Sequence, residues 1–137
     1  MTDNTVDTDF TGMKVLAVDD IPLNLLLIKK MLSKCNFKLK TAANGEDALA
    51  SVAAEKPDLI LLDLMMPGID GYEVLRRLKS SPETSDIKVV ILSALNSQED
   101  IVKGYDLGAN DFITKPIIME RLLACVAEQL IARKSGK

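Results

Sequence analysis

The sequence predicts an α/β domain in which five short parallel strands form one sheet with helices on both faces. Short β-branched or leucine-rich runs alternate five times with longer segments whose apolar residues recur at helical spacing. Inner runs such as Leu59–Leu62 are continuously apolar, as strands covered on both faces must be. The length, 137 residues, fits one domain that buries about two-thirds of its unfolded surface, so no disulfide or metal is needed to hold it.

Residues 1–12 read as a disordered acidic leader, too poor in apolar groups to offset the entropy of ordering. Residues 15–18 form the first strand, which stops at Asp19–Asp20. Pro22 suits the first turn of a helix in which Ile21, Leu25, Ile28, Met31 and Leu32 repeat. Residues 37–42 alternate as a second strand. Asn44–Gly45 opens a second helix, with Ala48, Leu49, Val52 and Ala53 on one stripe. Leu59–Leu62 is the third strand, and Pro67-Gly68-Ile69-Asp70-Gly71 is the loop into a helix over 72–78. Residues 89–92 form the fourth strand. Ser97 with Asp100 three positions on is a capping pair for a helix through Leu107, closed by Gly108. Residues 111–113 form the fifth strand and 117–131 the last helix. The domain thus spans 13–131, with a short basic tail over 132–137.

The net charge is −3, and Asp3, Asp7 and Asp9 account for that excess. The nearly balanced remainder lacks the basic stripe of a nucleic-acid binder. No apolar run is long enough to span a membrane, and the polar start is not a targeting signal. Cys35 and Cys125 suggest reduced thiols and a cytoplasmic setting. The absence of histidine excludes Ser–His–Asp and Cys–His chemistry and His-containing zinc sites.

In such a sheet the ligand site lies beyond the carboxyl ends of the strands. Strand one ends in Asp19–Asp20, strand three in Asp63 and strand four in Ser93; Thr114-Lys115-Pro116 follows strand five. Parallel strands bring these to one edge, as three carboxylates, a hydroxyl and an ammonium. Three close carboxylates cannot all ionise unaided, and a hard divalent cation such as Mg²⁺ removes the conflict. An aspartate beside it can then take a phosphoryl group, with Lys115 and Ser93 neutralising phosphoryl oxygens. Taken singly, Asp20 reads as a helix cap, Ser93 as a turn residue and Lys115 as a solvated charge. Asp58 and Asp70, also placed near this edge, read as loop or cap residues. The set at successive strand ends favours the chemical reading.

These residues also carry a resemblance. VLAVDD at 15–20, LILLDLMMPGIDGYEVL at 59–75, VVILSAL at 89–95 and GANDFITKP at 108–116 resemble, in order, the receiver domain of two-component response regulators, chemotaxis-regulator-like. The resemblance implies a flavodoxin-like doubly wound sheet of strand order 2-1-3-4-5. It implies Asp63 as phosphoacceptor, and Asp19, Asp20, Asp63 and the Met65 backbone carbonyl as Mg²⁺ ligands. Ser93 is the switch hydroxyl, Lys115 the lysine that contacts the phosphoryl group, and the bond before Pro116 is cis. Phe112 falls at the aromatic switch position, where a plain core residue is the other reading. The donor is a sensor histidine kinase or histidine phosphotransfer protein. The output face spans the fourth helix, fifth strand and fifth helix, with Ile101, Tyr105, Phe112 and Ile117–Ile118, and contacts a target protein or a second copy. Apolar Met65 and Leu95 predict slow hydrolysis of the acyl phosphate.

The implied protein is a self-phosphorylating acceptor with autodephosphorylation, not a turnover enzyme. An aspartyl-intermediate phosphatase would place its two aspartates two residues apart on one strand, whereas Asp19 and Asp20 are adjacent. A flavin carrier would need a hydroxyl-rich loop where Asp-Asp-Ile-Pro stands. A non-phosphorylated interaction module on the same fold remains the rival. Asn24 and the leucine-rich first helix also resemble receivers of hybrid sensor kinases.

Overall fold

A computed structural model describes residues 9–136. Five strands, β1 (Lys14–Val18), β2 (Lys38–Ala42), β3 (Leu59–Leu62), β4 (Lys88–Ser93) and β5 (Asp111–Thr114), pair in parallel in the order β2-β1-β3-β4-β5. They alternate with α1 (Pro22–Met31), α2 (Gly45–Ala54), α3 (Gly71–Lys79), α4 (Gln98–Asp106) and α5 (Met119–Lys134).

Side-chain alternation along the strands divides the core in two. Leu16, Val18, Ile60, Leu62, Val89 and Ile91 face α2 and α3, whose Ala48, Val52, Val74, Leu75 and Leu78 cover them. Val15, Ala17, Leu59, Leu61, Val90 and Leu92 face α1 and α5, meeting Ile28, Leu122, Val126 and Leu130. Leu59–Leu62 is buried throughout because both faces are covered.

The helix starts follow their local chemistry. Pro22 stands at the first turn of α1; Asn44, Asp70 and Ser97 each accept a backbone N–H three residues on, capping α2, α3 and α4. At the outer margin, Lys14, Lys38 and Lys40 converge on Glu55 at 3.4, 3.5 and 2.6 Å. The hydrogen bond from Lys40, with the charge of its neighbours, holds the Glu55 carboxyl down to about 2.

Two segments differ from the sequence-based expectation. Residues 1–8 of the expected leader lie outside the described residues, but its last part packs onto the domain. Phe10 is 4% exposed, tilted against Phe37 at 6.5 Å between ring centroids. Its N–H donates to Asn36 Oδ1 at 2.7 Å, and Lys134 Nζ donates to the Asp9 carbonyl at 3.1 Å. A single aromatic ring supplies the burial that average composition hides. The expected tail over 132–137 instead continues α5 to Lys134, because Arg133 pairs with Asp58 at 3.2 Å and Asp86 at 2.8 Å. Lys137 lies outside the described residues.

Candidate functional site

The register builds the site. Val18 pairs with Leu62, so Asp19 and Asp63 leave adjacent strands side by side, and the Asp63 N–H donates to the Val18 carbonyl at 3.0 Å. Ser93 pairs with Thr114 across β4 and β5, and the Lys115 N–H donates to the Ser93 carbonyl at 2.8 Å. The expected residues therefore meet at one edge. Asp19, Asp20 and Asp63 each present a carboxylate oxygen, all within 4.8 Å of one another. Lys115 reaches across the sheet, its Nζ 2.8 Å from Asp19 Oδ2 and 3.7 Å from Asp63 Oδ1.

The two carboxylates on the inner side are nearly inaccessible: Asp19 is 1% and Asp63 5% exposed. Burial pushes the Asp63 carboxyl above the ordinary aspartate range and the Asp19 charge adds to the shift. The Lys115 ammonium and the N–H groups of Leu64 and Met65 pull the other way. Three clustered carboxylates that offer only oxygen donors fit a hard divalent cation better than a softer metal.

The loop after Asp63 is fixed by Gly71. A Cβ there would overlap the Asp63 carbonyl oxygen and come within 2.7 Å of Leu64 Cα, and its N–H donates to the Leu64 carbonyl at 3.0 Å. Met65 directs its N–H to the Asp63 carboxylate while its side chain is 58% exposed. The Ser93 hydroxyl is buried and accepts the Leu95 N–H at 3.1 Å. The Lys115–Pro116 bond is cis. Beside Lys115 a cleft of 250 Å³ runs between α1 and the turn after β5, lined by Leu27, Ile28, Met31, Pro116 and Ile117 among others.

Of the two readings of Phe112, the structure has the core one: the ring is 7% exposed, whereas Tyr105 and Ile118 of the same face are exposed and Ile101 and Ile117 partly so. Two placements add to or correct the sequence reading. Asp58 lies at the start of β3, at the opposite edge of the sheet, where it accepts the Lys14 N–H and pairs with Arg133. Asn24 joins the site unannounced: its Nδ2 donates to Asp19 Oδ2 at 3.2 Å, while the Ile21 N–H holds Oδ1 at 2.9 Å. Its position five residues past Asp19, in the first turn of α1, was the available signal.

The family model described as response regulator receiver domain matches residues 15–127. The chain belongs to this family. Within it, the chain is 46% identical over 104 residues to the response regulator PleD of Caulobacter vibrioides, covering 76% of the chain and 23% of PleD. It is 38% identical over 113 residues to the protein PilH of Pseudomonas aeruginosa, covering 82% of the chain and 93% of PilH. Among solved structures, the beryllofluoride-activated DrrB receiver domain superposes with a TM-score of 0.79 at 34% identity, over 86% of this chain and 97% of that one. The receiver fold and its place in two-component signalling are thereby shared. Among the described residues no helix is long and apolar enough to cross a membrane.

Proposed function

We propose that this receiver is a phosphoryl-accepting switch and that Asp63 carries the phosphoryl group. The observation that supports it most is the meeting of Asp63 with Asp19, Asp20 and Lys115 at one strand edge. An oxygen of Asp63 attacks the phosphorus of a partner's phosphohistidine; the P–N bond breaks, and the imidazole leaves and takes up a proton from water. The partner is a sensor histidine kinase or a histidine phosphotransfer protein, and the setting is cytoplasmic. Asp19, Asp20, Asp63 and the Met65 carbonyl would hold Mg²⁺, which when bound offsets the carboxylate charges and polarises the transferred group.

The chain's own residues supply the remainder. Lys115 and the N–H groups of Leu64 and Met65 oppose the upward push of burial on Asp63 and so favour the carboxylate form that acts as nucleophile. Lys115 exchanges part of its contact with Asp19 for a phosphoryl oxygen, and the Ser93 hydroxyl turns from Leu95 to another. The outer face of α4, β5 and α5, with exposed Val102, Tyr105 and Ile118, then contacts a target protein or a second copy. Exposed Met65 and half-buried Leu95 flank the acceptor with apolar groups, which slows attack by water and gives a long-lived phosphorylated form.

Incubation with a small phosphodonor and Mg²⁺, followed by intact mass, tests the reading. One phosphoryl group should add to the wild type and none to Asp63→Asn. No addition under any donor would sink it in favour of a non-phosphorylated interaction module.

A further inference from the structure

We propose that Tyr72 is a positioning residue whose hydroxyl ties the loop after Asp63 to α4, coupling occupation of the acceptor to the placement of that helix. The inference rests on the phosphoacceptor reading above.

The contacts run without a gap from the site to α4. Gly71 has no room for a side chain against the Asp63 carbonyl, so the start of α3 cannot shift independently of the acceptor's own backbone. Tyr72 is the next residue, and its hydroxyl donates to the Asp100 carbonyl in the first turn of α4 at 3.0 Å. From the same helix, the Lys103 ammonium lies over the Tyr72 ring, 4.2 Å from its centroid. Burial and the charges of Asp100 and Asp70 push the phenol upward, so the hydroxyl keeps its proton and remains a donor.

The tether matters because α4 is otherwise lightly anchored. Of its nine residues only Gly104 is buried, with Ile101 packing partly against the core. Gly104 sits against the sheet so closely that a Cβ would come within 2.7 Å of Ile91 Cδ1 and 3.2 Å of the Phe112 ring. The helix is thus held by Phe112 and Ile101 beneath it, by Tyr105, whose hydroxyl donates to Asp111 Oδ1 at 3.2 Å near its C-terminal end, and by Tyr72 at its first turn. A phenylalanine at position 72 would fill the same space without the bond to Asp100, so burial alone does not account for the hydroxyl.

Beryllofluoride with Mg²⁺ serves as the phosphoryl analogue in the test, titrated into the full chain and followed by amide NMR. Tyr72→Phe should change its affinity by about threefold to tenfold, the scale of one neutral hydrogen bond, by the reciprocity of coupled sites. The amide signals of residues 98–106 should shift with it. Thr84→Val is the control: it removes another hydroxyl-to-carbonyl bond, Thr84 Oγ1 to the Leu78 carbonyl at 2.6 Å, at the far end of α3. It should cost comparable stability and leave the affinity unchanged. Wild-type affinity in Tyr72→Phe overturns the coupling while leaving the phosphoacceptor reading intact. Wild-type protein that takes up neither beryllofluoride nor phosphoryl group overturns both.

Discussion

Replacing Asp63 by asparagine should make the protein more stable at neutral pH without Mg²⁺, the reverse of what most substitutions of buried residues do. Asp63 is 5% exposed, so its charge is held with little hydration. The acidic oxygens of Asp19 and Asp20 lie within 4.8 Å of its own. At an effective dielectric of about 20, a pair at that limit repels by about 3.5 kcal/mol. Lys115, at 3.7 Å, returns about 4.5 kcal/mol, but it sits closer to Asp19 at 2.8 Å. Since Asp20 is partly solvated, its repulsion is weakened to about 2 kcal/mol, which with Asp19 makes about 5.5 kcal/mol against about 4.5 kcal/mol returned. The charge balance is therefore unfavourable by about 1 kcal/mol, and desolvation adds a similar amount. The asparagine keeps an oxygen to accept the Leu64 and Met65 N–H groups. We expect Asp63→Asn to gain about 2 kcal/mol, or about 6 °C in Tm. Urea and thermal unfolding at neutral pH with chelator measure it. The sign with pH follows from the raised carboxyl: the native state binds this proton more tightly than the unfolded chain. The wild type therefore loses stability as pH rises through the raised value, and its deficit to Asp63→Asn closes on acidification. Added Mg²⁺ should narrow the same gap by stabilising the wild type. A variant no more stable than the wild type under chelation would refute the electrostatic account.

Three further outcomes are expected. Lys115→Met leaves Asp19 and Asp63, 2% and 6% exposed in their side chains, facing each other without a cation. It should cost about 3 kcal/mol, and Mg²⁺ should recover more stability in the variant than in the wild type; equal recovery in urea titrations counts against the pairing. Met65→Asn should shorten the phosphorylated lifetime by about tenfold, as about 1.4 kcal/mol off the hydrolysis barrier would, followed by loss of phosphoryl mass with time. Decay of the wild-type acyl phosphate within seconds would defeat the argument from Met65 and Leu95. Phe10→Ala should cost about 3 kcal/mol in urea unfolding, because the ring is 4% exposed; a loss below about 1 kcal/mol would mean that residues 9–12 do not brace the domain.

The central strands were legible because Leu59–Leu62 and the runs before Asp19 and Ser93 are apolar without interruption, and only strands covered on both faces can carry such runs. The site was legible for the same reason: once strands are parallel, their polar terminal residues must share an edge. What escaped were contacts between residues distant in sequence. Nothing local to Asp58 shows that it faces Arg133, 75 residues on, at the other end of the sheet. Nothing in the acidic character of residues 1–12 shows that Phe10 meets Phe37, and the periodicity of the first helix conceals that Asn24 serves Asp19. Phe112 was left between a core and a switch position because strand alternation alone does not tell which side α4 covers. The hydroxyl of Tyr72 belongs with these, since its partner is a backbone carbonyl that carries no sequence signal.

The lysines gathered around Glu55 have a bearing on how copies of this chain behave toward one another. Strand β2 closes the sheet on one side, and among the described residues no strand pairs with its outer row of peptide groups. Such a rim is a template on which another chain can lay a strand, the first step toward fibrils. Three ammonium groups on one carboxylate leave a surplus of positive charge there, so two identical rims brought together would repel. The charge on this rim therefore opposes edge-to-edge pairing of two copies through β2.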